Sequence, residues 1–345
     1  KKEEVEKVIA PLVSDGQTTE STEEAQEEKD PLIPEIDTSV EIQAGSRVAV
    51  VSKSTSGEFW GLVKKGMEQA IADVNEAYGF KKEDQVTMTF EGASDEKDVE
   101  SQVNTIDAVI AENPDVLCVS ASDMDSLQAQ LEAAKENGIP VVAFDSGVTD
   151  SKMVRAFRGT DNTRVGEIAA YRLATAIGKM GKVAVFSAQE KTQSIQERVS
   201  GFTNYITNYP DIEVVEIVYQ DQVDDMTAAM QEVLDKYPQL DGVFCDNADI
   251  ADLYLDMKKD ETKDSIVMVG VDATAKQQEA IWNSKEVGVV SQQPYAMGYQ
   301  TMWTALLTTA PKKSVEIKRN VRIDPAWIDS SNIDDPTYSS YLYAN

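Results

Sequence analysis

The sequence predicts an α/β protein of two similar lobes, each built on a parallel sheet covered by helices on both faces. Three observations carry that reading. A length of 345 residues suggests two domains at roughly one per 150 residues. From Arg47 onward, apolar runs of about four to seven residues alternate with longer stretches of helical period. One supersecondary unit also occurs twice, as described below. Short strands that are apolar on both faces and separated by helices belong to parallel sheets buried on both sides.

Taken in order, residues 1–46 stand apart from the rest. Four basic residues (Lys1, Lys2, Lys7, Lys29) face thirteen acidic ones, the centre is rich in Ser, Thr and Glu, and no aromatic residue occurs. Such a segment buries too little apolar surface to offset its ordering entropy, so it reads as an acidic, disordered linker with one short helix near 5–12. The chain starts at Lys1, with neither an initiator methionine nor the apolar core of a signal peptide. A processed or trimmed chain is therefore expected, its linker holding the folded part away from a membrane anchor or a partner domain.

Strands are predicted at 48–52, 86–91, 116–120, 141–145, 183–187, 214–219, 242–246, 266–272 and 287–292. Between them, Val99, Val103, Ile106, Val109 and Ile110 form one helical stripe that Asn113-Pro114 ends. Met230, Val233 and Leu234 mark another. The segments AVIAENPDVLCVSASD (Ala108 to Asp123) and EVLDKYPQLDGVFCDNAD (Glu232 to Asp249) share a plan of helix end, proline turn, apolar strand with a cysteine, and polar tip. This repetition predicts two topologically alike lobes.

Composition excludes several functions. Lys and Arg total 32 against 61 for Asp and Glu, a net charge of −29 that repels nucleic acid and anionic lipid. No apolar run approaches the roughly 18 residues of a membrane span. The absence of histidine removes the Ser-His-Asp triad, the Cys-His dyad and histidine-ligated metal. Cys118 and Cys245 each stand alone in an apolar run and read as buried free thiols, not as a disulfide, metal or redox pair. Neither a metal nor a cofactor is expected.

Ligands of open parallel sheets bind outside the carboxyl ends of the strands. Polar side chains collect at those tips: Ser52 with the loop to Trp60, Ser120 to Asp123, Asp145-Ser146, Asp246-Asn247, Asp272 and Gln292. Asp, Asn and Ser there also suit the capping of the next helix. The first loop has neither GxGxxG nor GxxxxGK[ST], so nothing cradles a pyrophosphate. Its Phe59-Trp60 pair suits one core and one surface aromatic, or a flat face for the C–H side of a sugar ring. Arg198 reads either as a surface residue paired with Glu197 or Glu190, or as a five-donor fork for hydroxyls between Asp145 and Asp272.

The segments RVAVVSKSTSGEFWGLVKKGMEQA, NGIPVVAFDS, IQERVSGF, DGVFCDNADIA, MVGVDAT and VSQQPYAMG, in this order over about Arg47 to Leu307, resemble the type I periplasmic sugar-binding proteins, nearest the ribose-binding branch. The resemblance implies two Rossmann-like lobes joined by a three-stranded hinge, with 47–160 plus 293–320 in the N-terminal lobe and 161–292 plus 321–345 in the C-terminal lobe. It implies no catalysis, a neutral monosaccharide or polyol as ligand, an ABC importer permease as partner, and a monomer on the outer face of the membrane or in the periplasm, lipid-anchored through a segment upstream of residue 1. Phe59 and Trp60 are carried over as aromatic stackers. Asp145, Arg198, Asn247, Asp272 and Gln292 are carried over as hydroxyl partners, with Ser146 beside Asp145 and with Asp221 and Gln222 from a loosely aligned loop.

The ribose-binding pattern has Asp-Arg where this chain has Asp145-Ser146, an aromatic at Val271, and Asn-Pro at Gly57-Glu58; losing the arginine removes a donor and some bulk. The calcium loop of some hexose binders is not evident. Sugar-responsive repressors share such lobes but need a basic DNA-binding module, and residues 1–46 are acidic. Two alternatives remain: a sugar-sensing subunit feeding a chemoreceptor or histidine kinase, and a glycosidase using Asp145 and Asp272. The C-terminal aromatics Trp327, Tyr338, Tyr341 and Tyr343 extend beyond shorter family members and read as packing against a lobe.

Overall fold

The computed structural model describes residues 30–261, 265–311 and 314–344. The helix expected near 5–12 lies outside them. Residues 30–46 correct the linker expectation. Val40 and Ile42 are buried against the first lobe with Ile33 and Ile36 beside them, and the Tyr78 hydroxyl donates to the Val40 carbonyl at 2.6 Å. Local acidity masked four apolar side chains that find a surface to cover.

The first lobe runs β1 (Arg47–Ser54), α1 (Glu58–Ala77), β2 (Thr87–Ala93), α2 (Val99–Ala111), β3 (Val116–Val119), α3 (Gln128–Glu136), β4 (Val141–Phe144) and β5 (Ala156–Thr160). The second follows with α4 (Asn162–Ala176), β6 (Gly181–Ser187), α5 (Gln193–Ile206), β7 (Ile212–Tyr219), α6 (Met226–Lys236), β8 (Gly242–Cys245), α7 (Ala248–Met257), β9 (Val267–Val271), α8 (Ala275–Trp282) and β10 (Gly288–Ser291). Then α9 (Pro294–Leu307) and β11 (Asn320–Ile323) return to the first lobe and β12 (Ala326–Ile328) to the second.

The sheet orders are β2-β1-β3-β4-β5-β11 and β7-β6-β8-β9-β10-β12. All pairs are parallel except β10 with β12. The duplicated segments supply β3 and β8, which occupy the same place beside the first strand of each sheet. Their cysteines are free and fully buried. Among the described residues the chain passes between lobes at 160–162, 291–294 and 323–326. The last passage falls later than the expected 320, because β11 stays paired with β5 from Asn320 opposite Phe157 to Ile323 opposite Thr160.

Each lobe uses the same device to bring two helices together. A Cβ on Gly66 would lie 2.0 Å from the Tyr295 carbonyl and one on Gly298 would lie 2.1 Å from that of Val63, so α1 and α9 touch backbone to backbone. In the second lobe a Cβ on Gly166 would meet the Arg198 carbonyl at 2.0 Å and one on Gly201 that of Thr163 at 2.1 Å. Bare glycine faces thus let α5 settle on α4, which draws Arg198 inward.

One buried acid opposes this packing. Glu286 is 1% exposed, its Oε1 accepts only a long bond from Gln277 at 3.4 Å, and its Oε2 has no partner among the described residues. Burial pushes its carboxyl well above the ordinary range. A raised carboxyl pKa favours the neutral form in the fold, so the stability tied to it is present in acid and is lost as pH rises through the folded value. Glu286→Gln keeps the volume without the charge. Its melting temperature is expected to exceed that of the parent near about pH 8 and to match it near about pH 4, and equal calorimetric melting at the higher pH refutes this account.

Candidate functional site

The strand tips of both lobes face a shared cleft that encloses a cavity of about 450 Å³, a size suited to a small ligand. Asp145 follows β4 and Asp272 follows β9, the equivalent strand of the second sheet. Both adopt positive φ, 58° and 81°, in the left-handed region that few side chains other than Asp and Asn accept. The chain turns there, and both carboxylates line the cavity.

Asp145 Oδ2 is held by the Ser120 hydroxyl at 2.8 Å, the Ser146 hydroxyl at 3.2 Å and the Lys53 ammonium at 2.9 Å. Its Oδ1 carries no hydrogen bond within the described residues. Lys53, at the tip of β1, is 4% exposed. Burial pulls its ammonium down, but Asp145 and then Glu96 (3.8 Å away) outweigh that effect and hold its pKa above the usual lysine value.

Across the cleft, Asp272 Oδ2 accepts from the Ala248 amide at 2.8 Å, while Oδ1 accepts from Gln292 Nε2 at 2.7 Å and the Tyr343 hydroxyl at 2.7 Å. Asn247 caps α7, its Oδ1 accepting from the Ile250 amide at 2.9 Å, which leaves its two N–H donors at the cavity wall.

Arg198 is buried (3% exposed) and lines the cavity. Its Nε donates to Asn162 Oδ1 at 2.9 Å and its Nη1 to the Asp246 carbonyl at 2.8 Å. The surface-pair reading fails, because Glu197 is bonded twice by Arg322, at 2.9 and 3.1 Å, and Glu190 accepts from Gln222. Arg198 has no carboxylate within ion-pair distance among the described residues. The Asp246 side chain instead accepts from Ser187 and from the Ala188 amide, and burial pushes its carboxyl up to about 6.

Phe59 and Trp60 both border the cavity, edge to face with centroids 5.0 Å apart and planes at 89°. Trp60 is the core member, 3% exposed, with its Nε1 donating to Glu96 at 2.7 Å and its ring edge-on to Phe144. Phe59 is half-buried.

Seven of the sequence-predicted residues therefore converge: Phe59, Trp60, Asp145, Arg198, Asn247, Asp272 and Gln292. Ser146 does not line the cavity; it lies behind Asp145, and its hydroxyl meets that of Ser194 across the cleft at 2.8 Å. Asp221 and Gln222 do not line it either. They sit in a short 3-10 turn after β7, where Asp221 accepts from the Glu190 amide at 3.2 Å and Gln222 donates to the Glu190 side chain. The side chains of that turn are taken up by the neighbouring loop at Glu190. Lys53 and Glu96 were not singled out from the sequence as site residues, and Tyr343 was read there only as packing against a lobe. Lys53 follows the strand-tip rule and was legible, whereas Glu96 sits in an unpatterned acidic loop and Tyr343 lies far along the chain.

The lobes touch on both sides of the cavity. Thr192 Oγ1 donates to the Ser122 carbonyl at 2.5 Å, the Gly147 amide to Gln193 at 2.6 Å, and the Met124 amide to the Lys191 carbonyl at 3.0 Å. Glu58 of the first lobe accepts from the Ala275 amide, at the N-terminus of α8, at 3.0 Å.

Comparison with known proteins agrees with this geometry. The chain is 27% identical over 203 residues to the ribose import binding protein of Bacillus subtilis (strain 168), covering 59% of this chain and 66% of that protein. It is 26% identical over 216 residues to the D-ribose/D-allose-binding protein of Pseudomonas aeruginosa, covering 59% and 63%. The match thus spans just under two thirds of these relatives' length. A solved ABC transporter solute binding protein of Agrobacterium vitis with bound D-fucose superposes with a TM-score of 0.78 at 28% identity, over 86% of this chain and 100% of that one. A carbohydrate transporter solute binding protein of Agrobacterium radiobacter in complex with D-arabinose gives 0.77 at 27% identity, over 87% and 99%. With the model of the periplasmic binding protein domain matching residues 48–310, the chain belongs to the periplasmic binding protein family.

Proposed function

We propose that this protein captures a neutral monosaccharide or polyol between its lobes and delivers it to an ABC importer outside the cytoplasm. The observation that carries the reading is the meeting of two strand-tip carboxylates, a buried guanidinium and an aromatic pair on one small cavity drawn from both lobes. Sugar hydroxyls donate to carboxylates and accept from Arg and Asn, and charged partners roughly double the strength of such bonds. The Phe59-Trp60 wall receives the apolar face of the ring.

The relatives that bind ribose, allose, fucose and arabinose support a pentose or a hexose of that size. The cavity carries acids in excess of bases, Glu58, Glu96 and Asp249 among its lining, which disfavours phosphorylated sugars. Catalysis is not part of this reading: Asp145 is ion-paired, Asp272 accepts three hydrogen bonds, and both serve as acceptors anchoring hydroxyls. The acidic composition of residues 1–29 suits a tether to a membrane lipid, with the protein acting as a monomer.

A thermal-shift panel of D-ribose, D-allose, D-arabinose, D-fucose and common polyols tests the ligand class. At 100 times its dissociation constant, a true ligand stabilises the fold by about 2.7 kcal/mol; a panel with no shift removes the sugar assignment. Arg198→Ala should then weaken binding of the responding sugar by about 2–3 kcal/mol, since hydrogen bonds to charged groups contribute on that scale. Unchanged calorimetric affinity takes Arg198 out of the site.

Closure has its own test. Glu58 places a negative charge on the N-terminus of α8 only while the lobes are together, a contact of about 0.3–1 kcal/mol. Glu58→Gln is expected to raise the dissociation constant roughly twofold to fivefold, through faster ligand release. A release rate equal to that of the parent means that this contact contributes nothing to the closed state.

A further inference from the structure

The chain beyond β12 returns to the site from behind. After Ile328 it packs Ile333, Tyr338, Tyr341 and Leu342 onto a small cluster with Ala273, Ile281 and Val289. Three hydrogen bonds seat it: Ser291 Oγ donates to the Tyr341 carbonyl at 2.6 Å, the Tyr343 amide to the Ala273 carbonyl at 3.1 Å, and Gln278 Nε2 to the Ala344 carbonyl at 3.3 Å. Ser291 and Ala273 are the chain neighbours of Gln292 and Asp272. Tyr343 is thereby buried, 6% exposed, and its hydroxyl reaches Asp272 Oδ1 at 2.7 Å. Its ring lies 6.1 Å from that of Phe59, across the cleft.

Tyr343 does not line the cavity, and its hydroxyl bonds Asp272, so an effect of that hydroxyl on a ligand passes through Asp272. That carboxylate stands on a backbone at φ 81°, a conformation whose cost the surroundings must offset. A carboxylate oxygen has two lone-pair sites. Gln292 and Tyr343 fill both on Oδ1, and the Ala248 amide takes one on Oδ2. One acceptor position on Oδ2 remains, in a fixed direction. Burial and the adjacent Asp272 push the Tyr343 phenol well above its ordinary pKa, so it stays a donor throughout the working pH range.

We infer that Tyr343 is a positioning residue of the sugar site: its hydroxyl locks the Asp272 carboxylate so that Oδ2 presents one acceptor to a ligand hydroxyl. The inference rests on the sugar-binding reading and assigns a role in recognition to a C-terminal segment that otherwise reads as packing.

The test titrates D-ribose, D-allose, D-arabinose and D-fucose separately into the full chain and its variants by calorimetry. Tyr343→Phe keeps the ring and its packing and removes only the hydroxyl. For whichever of these sugars binds the parent, the variant is expected to bind about tenfold more weakly, with the ligand-free melting temperature little changed. In an Asp272→Ala background the same substitution should cause no further loss, since the group it orients is gone. Equal affinity of Tyr343→Phe and the parent overturns the inference and leaves the sugar reading standing. A full tenfold loss persisting without Asp272, or a fall in ligand-free melting temperature that tracks the affinity loss, also overturns it, by showing a different or merely structural role. If none of the four sugars binds the parent, the sugar reading fails and this inference fails with it.

Discussion

The cleft depends on two carboxylates held at equivalent strand tips, Asp145 and Asp272, each turned by a left-handed backbone residue and each gripped by donors of its own lobe. Leaving such groups buried without partners costs roughly 1–3 kcal/mol apiece, more for a charge. Each lobe solves the problem differently. In the first, Lys53 supplies a counter-charge, so the strand-tip acid is neutralised within its lobe. In the second, three neutral donors share Asp272, and the cation of that half, Arg198, is held by an amide oxygen and a carbonyl instead of an acid. The two halves are alike in topology and unlike in electrostatics.

That difference follows from the duplicated framework. Both sheets have the same strand order, and each is closed by a glycine-mediated helix contact: Gly66 with Gly298 and Gly166 with Gly201. The contact in the second lobe involves the Arg198 carbonyl itself, so the position of the guanidinium is set by backbone packing well behind the cavity. A repeated scaffold supplies the geometry, and the few residues at its tips supply the chemistry.

The scaffold was largely legible in the sequence because its central strands are uninterrupted apolar runs. The runs around Val116, Val183, Gly242 and Val267 all became strands, and the doubled proline-turn unit gave β3 and β8. What escaped were β5, β11 and β12. In β5 the Arg158-Gly159 pair breaks the pattern; that arginine is buried with its Nη1 bound to the carbonyls of Phe157 and Lys318. In β11, Asn320 and Arg322 give an alternating edge, and β12 is three residues long. The site was legible where one residue ends one strand, as with Asp145 and Asp272. A loose loop alignment stood in for a strand tip at Asp221 and Gln222, which do not line the cavity, and no sequence pattern marks Tyr343, which reaches Asp272 by tertiary packing across 71 positions of sequence.

On the proposed reading, the same accounting makes closure and capture one event. Lobes that meet around Asp145 Oδ1, the Asn247 amide and the unbonded side of the Arg198 guanidinium remove water from groups that the protein itself does not satisfy. At roughly 1–3 kcal/mol for each such group, a closure that supplied no partners would be opposed by several kcal/mol. The contacts favouring it, such as Glu58 with Ala275 and Thr192 with Ser122, are single hydrogen bonds of about 0.5–1.5 kcal/mol each. The balance between the two sums is narrow. A ring whose hydroxyls pair with those groups tips it toward the closed form, because a ligand shifts such an equilibrium only by its differential affinity for the two states. On the proposed reading, Arg198 and Asn247 carry much of that difference. They belong to the second lobe, whereas the Phe59-Trp60 wall and Asp145 belong to the first. On the proposed sugar-capture reading, a ring settled on the aromatic wall acquires its remaining partners only when the second lobe arrives, so the closed shape itself reports that the cleft is filled.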